Sequence, residues 1–345
     1  MTTTAPPPAG GRVASGAPLA IRTSGLRRTF VSRGGGTVEA VAGVDLEVRD
    51  GEIFGFLGPN GAGKTTTLRM LATLLVPSGG QAMVAGADLL TQGSLVRRRI
   101  GYVGQSGGSD LVETGRDELV FQGRLHGMTK TEARARAADL LETLEIESCA
   151  DRKTQTYSGG QRRRLDIAIG LMHRPRLVFL DEPTTGLDPQ ARAHLWQEVR
   201  KLRDGGTTVF LTTHYLEEAD ALCDRLAIID RGRIVIEGTP DELKREVAGD
   251  AITLSLIGEP ADAFAQLQAL PFVREASAED GLIRLYVDRG ETAMPALMRA
   301  LDAANLEMAT LTVARPSLDD VFLAKTGRSL RDDNPNSSAR SGEKP

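Results

Sequence analysis

The sequence predicts an α/β fold: a mainly parallel sheet covered by helices on both faces, followed by a small C-terminal α+β domain. Three observations predict it. Apolar, strand-like runs alternate with helical stretches through most of the chain. One of those runs leads through a glycine-rich loop into a helix, and near Gly249 the pattern changes to short segments of alternating apolar and polar residues. Strands alternating with helices favour parallel pairing, because each helical crossover returns along a face of the sheet.

In chain order, residues 20–30 and 38–48 read as strands, joined by a glycine-rich turn at 33–36. Residues 52–57 form a short apolar run that passes through Gly58 into a helical segment at 64–75, the opening of an α/β nucleotide-binding unit. From 116 to 143 the pattern is helical and rich in Ala, Leu and Arg. Strand-like runs return at 177–180, 208–211 and 226–229, separated by helices at 189–203 and 216–222. Beyond Gly249, residues 252–257 and 282–287 alternate as strands, 261–270 and 293–304 read as helices, and 309–313 as a last strand. The expected divisions are a disordered leader (1–18), a large first domain (19–248) and a small α+β domain (249–327). A disordered tail (328–345) completes them.

Composition narrows the function classes. The chain has 345 residues, 41% hydrophobic and 26% charged, the balance of a soluble globular protein with one large and one small domain. A net charge of −4 gives no electrostatic reason to expect nucleic acid as a partner. The short runs Arg97, Arg98, Arg99 and Arg162, Arg163, Arg164 read as solvated helix faces. Cys149 and Cys223 are far apart and lack metal-site spacing; one disulfide is conceivable, but two reduced thiols is the better reading. No apolar run reaches the roughly 18 residues a membrane span needs. The leader has no apolar core of a signal peptide, so the expected location is the cytoplasm.

The sharpest motif is Gly58, Pro59, Asn60, Gly61, Ala62, Gly63, Lys64, Thr65, which fits the P-loop pattern G-x-x-x-x-G-K-[ST] and predicts a P-loop NTPase. Its glycines let successive N–H groups converge on phosphates, and the following helix adds the partial charge of its N-terminus. Lys64 would reach the β- and γ-phosphates, Thr65 offers Mg²⁺ a hard oxygen, and Thr66 belongs to the same nucleotide-binding loop. This motif alone leaves kinases, GTPases and many ATPases open.

Two further elements narrow the choice. The apolar strand 177–180 ends in Asp181 and Glu182 at the ligand-binding edge of the sheet. Asp181 is placed to hold Mg²⁺, and Glu182 to polarise the water that attacks the γ-phosphate. Shortly before them, Ser158, Gly159, Gly160 and Gln161 open a helix with a hydroxyl and close backbone N–H groups, a second anion-binding terminus or else a simple helix cap. One ATP needs no second cradle in the same chain, so this one is expected to grip ATP held by another subunit.

With these motifs in order, the sequence resembles the ATP-binding subunits of ABC transporters from about residue 19 to about residue 243. Gly58 to Thr65 resembles their Walker A loop, 177–182 Walker B, and Ser158 to Gln161 the core of their signature motif. Gln105 falls at the Q-loop glutamine, Asp188 in the D-loop, and His214 at the switch histidine. The resemblance implies an ABC ATPase domain with a helical subdomain at about 106–157. It also implies two copies stacked head to tail around two ATP molecules, with Gln105 serving the metal or the attacking water. His214 would bond the γ-phosphate and orient Glu182. His126, His173 and His194 have no comparable setting and are read as structural. Two departures stand out. Tyr157 occupies the place of the usual signature Leu, and Phe30 is the candidate for the aromatic that stacks on adenine, unless it is a core strand residue.

One P-loop, a short helical subdomain and the absence of zinc-type cysteines disfavour the chromosome-maintenance, translation and DNA-repair branches. The small α+β module, closing with Ser317, Leu318, Asp319, Asp320, Val321 and Phe322, resembles the daunorubicin-resistance type of exporter ATPase. That likeness implies ATP and Mg²⁺ as cofactors and a separate integral-membrane permease as partner. It also implies an apolar or amphipathic drug-type cargo and a position on the cytoplasmic face of the membrane. A soluble regulatory or assembly ATPase is the alternative.

Overall fold

The computed structural model describes residues 18–31, 35–247, 250–258, 263–279, 281–314 and 316–326. Most of the expected leader, the tail at 328–345 and part of the turn at 33–36 lie outside the described residues.

The chain opens with two long antiparallel strands, β1 (Leu19–Val31) and β2 (Thr37–Arg49). Then β3 (Ile53–Leu57) runs into α1 (Lys64–Leu71). The strands β4 (Gly79–Val84) and β5 (Ala87–Asp88) complete an antiparallel sheet of order β2-β1-β4-β5. After α2 (Gly93–Arg99) and β6 (Ile100–Val103) come three helices, α3 (Gly115–Leu125), α4 (Lys130–Thr143) and α5 (Gly159–Leu171). Strand and helix then alternate: β7 (Leu177–Asp181), α6 (Pro189–Asp204), β8 (Thr208–Thr213), α7 (Leu216–Leu222), β9 (Arg225–Asp230), β10 (Arg233–Gly238) and α8 (Pro240–Val247).

The central sheet has the order β10-β9-β3-β8-β7-β6, parallel throughout except for β10, which pairs antiparallel at one edge. Its parallel strands are apolar on both sides because both sides are covered. In β7, Leu177 and Phe179 join the cluster beneath the antiparallel sheet, while Val178 and Leu180 join the cluster beneath the helices. Rings of Phe54, Phe56 and Phe179 surround Phe210 at 5.6–5.8 Å on the first of these faces. Parallel strands end on one edge, so Leu57, Val103, Asp181 and Thr213 deliver the loops that follow them to the same place.

The helices start where polar caps dictate. Thr129 and Glu132 form a reciprocal capping box on α4, as do Ser158 and Gln161 on α5. Asp188 caps α6, with Pro189 in the first turn where its missing N–H costs nothing. At Tyr157 the signature departure is structural: its hydroxyl is buried and donates to the Cys149 carbonyl at 2.7 Å. Both cysteines are free and buried.

The last part of the chain contains β11 (Asp250–Leu256), α9 (Ala263–Gln268), β12 (Val273–Glu279), β13 (Leu282–Val287), α10 (Gly290–Ala303), β14 (Met308–Ala314) and α11 (Leu318–Thr326). An antiparallel sheet of order β12-β13-β11-β14 buries Ile252, Leu254, Leu285 and Val287 against Leu267, Leu297 and Leu301. The final helix does not join this core. In α11, Leu318, Val321 and Phe322 are buried in the same cluster as Leu243, Leu222 and Leu226, against α7, α8 and β10. No described helix is long and apolar enough to cross a membrane.

Candidate active site

The loop between β3 and α1 curls because two of its glycines leave no room for a side chain. A Cβ on Gly58 would lie 2.3 Å from the Ile229 carbonyl. Gly63, at φ 106°, would bring one within 2.5 Å of the Ala40 carbonyl. Lys64 folds back into this loop, donating to the Gly58 and Pro59 carbonyls at 2.8 and 3.0 Å, and lies 3.4 Å from Glu182 Oε1. Burial pushes the Lys64 ammonium below its ordinary range, with Glu182 and Asp181 opposing.

At the end of β7, Asp181 Oδ1 accepts from Thr212 Oγ1 at 2.7 Å and from Thr65 Oγ1 at 3.0 Å. Its Oδ2 is buried without a partner. An unpartnered buried carboxylate oxygen costs roughly 1–3 kcal/mol or more. Beside a hydroxyl in the P-loop, it suits a hard divalent cation such as Mg²⁺. The next residue, Glu182, holds φ at 45°, in the left-handed region where a non-glycine backbone is strained.

Besides Lys64, three groups surround the Glu182 carboxylate. Gln105 Nε2 donates to Oε2 at 3.0 Å, as does Thr185 Oγ1 at 3.3 Å. His214 Nδ1 lies 3.3 Å from Oε1, close enough for an ion pair but not aligned as a hydrogen bond. Burial alone raises the Glu182 pKa, yet His214 and Lys64 outweigh it and hold the carboxyl below its ordinary range. A cleft of about 330 Å³ opens here, lined by Asn60, Gly61, Gly63, Lys64, Thr65, Thr66, Gln105 and Glu182.

The structure thus brings together the P-loop, Asp181, Glu182, Gln105 and His214. Phe30 is not among the residues that line this cleft. That residue sits on β1, partly exposed, with the Arg28 guanidinium 4.7 Å above its ring, and Ala40 of β2 lines the cleft instead.

Ser158 and its neighbours stand apart as well. Gly160, Gln161 and Asp188 line a different cavity of about 430 Å³, together with Glu145, Arg164 and His194. The Ser158 Oγ accepts from Gln161 N at 3.2 Å, which leaves its own proton and the N–H groups of Gly159 and Gly160 available. His194 therefore belongs to this cavity, a place that nothing in its sequence setting marked. His126 and His173 stack on each other at 4.1 Å and line neither cleft, and burial lowers the pKa of both.

One expectation is corrected here. Arg163 is not part of a solvated face: it is only 7% exposed, and its guanidinium donates to the carbonyls of Pro183, Gly104 and Asp181. The helix α5 packs against β6, and Arg163 reaches backbone carbonyls at the ends of β6 and β7, which offset part of the burial cost of the charge.

Residues 41–185 match the family described as ABC transporter, and residues 238–326 match the C-terminal domain of DrrA1-3-like ATP-binding proteins. The chain is 46% identical over 323 residues to the daunorubicin/doxorubicin resistance ATP-binding protein DrrA of Streptomyces peucetius, covering 91% of this chain and 94% of that one. It is 35% identical over 310 residues to the linearmycin resistance ATP-binding protein LnrL of Bacillus subtilis, covering 89% of this chain and 100% of that one. Among solved structures it resembles the dimeric, post-hydrolysis ATP-binding cassette MJ0796 bound to ADP and Pi. That likeness has a TM-score of 0.58 and 27% identity, over 64% of this chain and 98% of that one.

Proposed function

The chain belongs to the ABC transporter family of ATP-binding proteins, in the daunorubicin/doxorubicin-resistance type, and is an ATPase; from that premise we propose that two copies close around two ATP molecules to drive export of an apolar or amphipathic compound. The observation that carries this reading is the separation of the two cradles. The cleft lined by Lys64 and Glu182 and the cavity lined by Gly160 and Asp188 share no residue. Two half-sites on one chain become whole sites when a second copy turns its Ser158 end to the P-loop.

In this reading the loop N–H groups and Lys64 bind the phosphates, with Thr66 at the helix start. Thr65 and Asp181 hold Mg²⁺, which neutralises charge on the phosphates when bound. Glu182 accepts a proton from the attacking water, while His214 and Gln105 fix the carboxylate that does so. Asp188 and the Ser158–Gln161 turn complete the partner's site. Product release from the interface reopens the dimer, so ATP acts as the ligand that favours the closed state.

The permease is the partner that an export function requires. Phe121 and Leu125, one turn apart on α3, and Leu111 and Val112 before it are exposed apolar residues suited to docking. With that partner the chain sits at the cytoplasmic face of a membrane, a reading that the exposed apolar residues of α3 support over a soluble regulatory role.

Light scattering on the Glu182→Gln chain tests the dimer: MgATP should double its mass, and a chain that binds ATP yet stays monomeric overturns the sandwich. Affinity purification from gently solubilised native membranes tests the export reading. A polytopic membrane protein in stoichiometric amount supports it, and recovery of the chain alone counts against it.

A further inference from the structure

The helix α5 carries two charged side chains into the interior, Arg163 and Asp166, one turn apart and 7% and 6% exposed. Among the described residues no carboxylate ion-pairs with Arg163. Its guanidinium spends its donors on backbone: Nε to the Pro183 carbonyl at 2.8 Å, Nη1 to that of Gly104 at 2.6 Å, and Nη2 to that of Asp181 at 3.1 Å. Asp166 does the reverse. Its Oδ1 accepts from the N–H groups of Gly108 and Ser109 at 3.0 and 3.1 Å. The loop lies so close that a Cβ on Gly107 would come within 2.6 Å of Asp166 Oδ2.

These bonds have a pattern. Arg163 holds the carbonyls just before and just after Glu182, and at the same time the residue just before Gln105. Asp166 holds the same Gln105 loop from its far side. The two side chains that meet at 3.0 Å, Gln105 and Glu182, are therefore both suspended from α5. Bonds from a charged group to backbone are stronger than neutral ones, and the planar guanidinium fixes three directions at once. A close-packed helix moves as a body rather than absorbing a displacement along its length. The N-terminus of this helix is the turn of Ser158, Gly159 and Gly160.

We propose that Arg163 and Asp166 are positioning residues that make each chain's own Gln105–Glu182 pair respond to the nucleotide that the second copy presses against its Ser158 turn. The inference rests on the dimer reading above and extends it. Movement of α5 toward a phosphate carries the carbonyls flanking Glu182 and both ends of the Gln105 loop with it. Hydrolysis in one site thereby depends on occupancy of the other.

Hydrogen–deuterium exchange on the full chain, with and without MgATP, tests this on wild type, Arg163→Lys and Asp166→Ala, with ATP hydrolysis measured on the same samples. Lysine keeps the buried charge but cannot reproduce the three-way fork. In wild type, MgATP should slow exchange at both 58–66 and 104–109, and only the second effect should grow with chain concentration as dimers form. In both variants 58–66 should still respond, while 104–109 exchanges about tenfold faster and no longer responds. The kcat should fall about tenfold with KM for ATP within about twofold. Exchange at 104–109 equal to wild type, or raised no more than in the rest of the chain, overturns the positioning role. A wild-type response at 104–109 that ignores chain concentration overturns the link to the second copy. Absence of any MgATP effect at 58–66 would instead sink the nucleotide-site reading itself.

Discussion

Gln105 presents its amide nitrogen, not its oxygen, to Glu182: Nε2 donates to Oε2 at 3.0 Å while Lys64 and His214 face Oε1. The carboxylate is thus held from both sides, and its two oxygens have different company. A group held this way is oriented before substrate arrives, and removing it leaves Gln105, Thr185, Lys64 and His214 without their common partner.

Glu182→Gln should lower ATP turnover by about 10²–10⁴-fold, the range for loss of a general base, while MgATP still binds. Steady-state phosphate release alongside equilibrium nucleotide binding checks both halves. Turnover within a few fold of wild type would remove Glu182 from its assigned role.

The same carboxylate gives a pH prediction. Its native pKa lies below the ordinary value of 4.5. Its contribution to folding is therefore complete above that value and lost as pH falls through the lower native one. Thermal melts without nucleotide, from about pH 6 to about pH 3, should show a shallower acid decline for Glu182→Gln than for wild type.

Lys64→Ala should weaken ATP binding about 10- to 100-fold, as expected for one charge-assisted hydrogen bond to phosphate. Titration calorimetry measures it directly. The melting temperature without nucleotide should change little, because the ammonium is a buried charge whose removal also relieves a desolvation cost.

Phe322→Ala, at a fully buried position, should destabilise the ATPase domain by about 3–5 kcal/mol. Denaturant unfolding followed at Trp196, which lies on α6 of that domain and not in the C-terminal sheet, reports where the loss is felt. A change confined to the C-terminal sheet would contradict the packing of α11.

Neither thiol should react quickly in the native protein. Cys149 and Cys223 are buried, and burial pushes the Cys223 thiol well above its ordinary range. A maleimide count should find both thiols only after unfolding.

The P-loop was legible because phosphate binding demands glycine, lysine and threonine in consecutive positions, so the chemistry is local in sequence. Asp181 and Glu182 were legible because an apolar run ending in acids marks the end of a buried strand. Arg163 was not, since an arginine run reads as solvated until the fold shows which of the three turns inward to the strand ends. The available signal was the company of Leu165, Ile167 and Ala168, all buried on the same short helix. The strand β12 was missed because Val273–Glu279 lacks the apolar alternation of its neighbours β11 and β13. Phe30 rests on its place before the P-loop alone: the structure puts it on β1 with the Arg28 guanidinium over its ring, and no described neighbour there marks an adenine site. Apolar spacing in α11 announces a buried face; it cannot say which of two cores will receive it.

That placement of α11 has a consequence for how the protein is made. The segment from β11 to β14 leaves the first domain after α8 and returns to it at Leu318, so Phe322 fills a core begun hundreds of positions earlier in translation. A ribosome must release the chain through Leu318–Thr326 before that core can close. Until then α7 and α8 expose the apolar surface that α11 will cover, a window in which chaperones and proteases can act. Chains ending before Leu318 would carry the defect permanently.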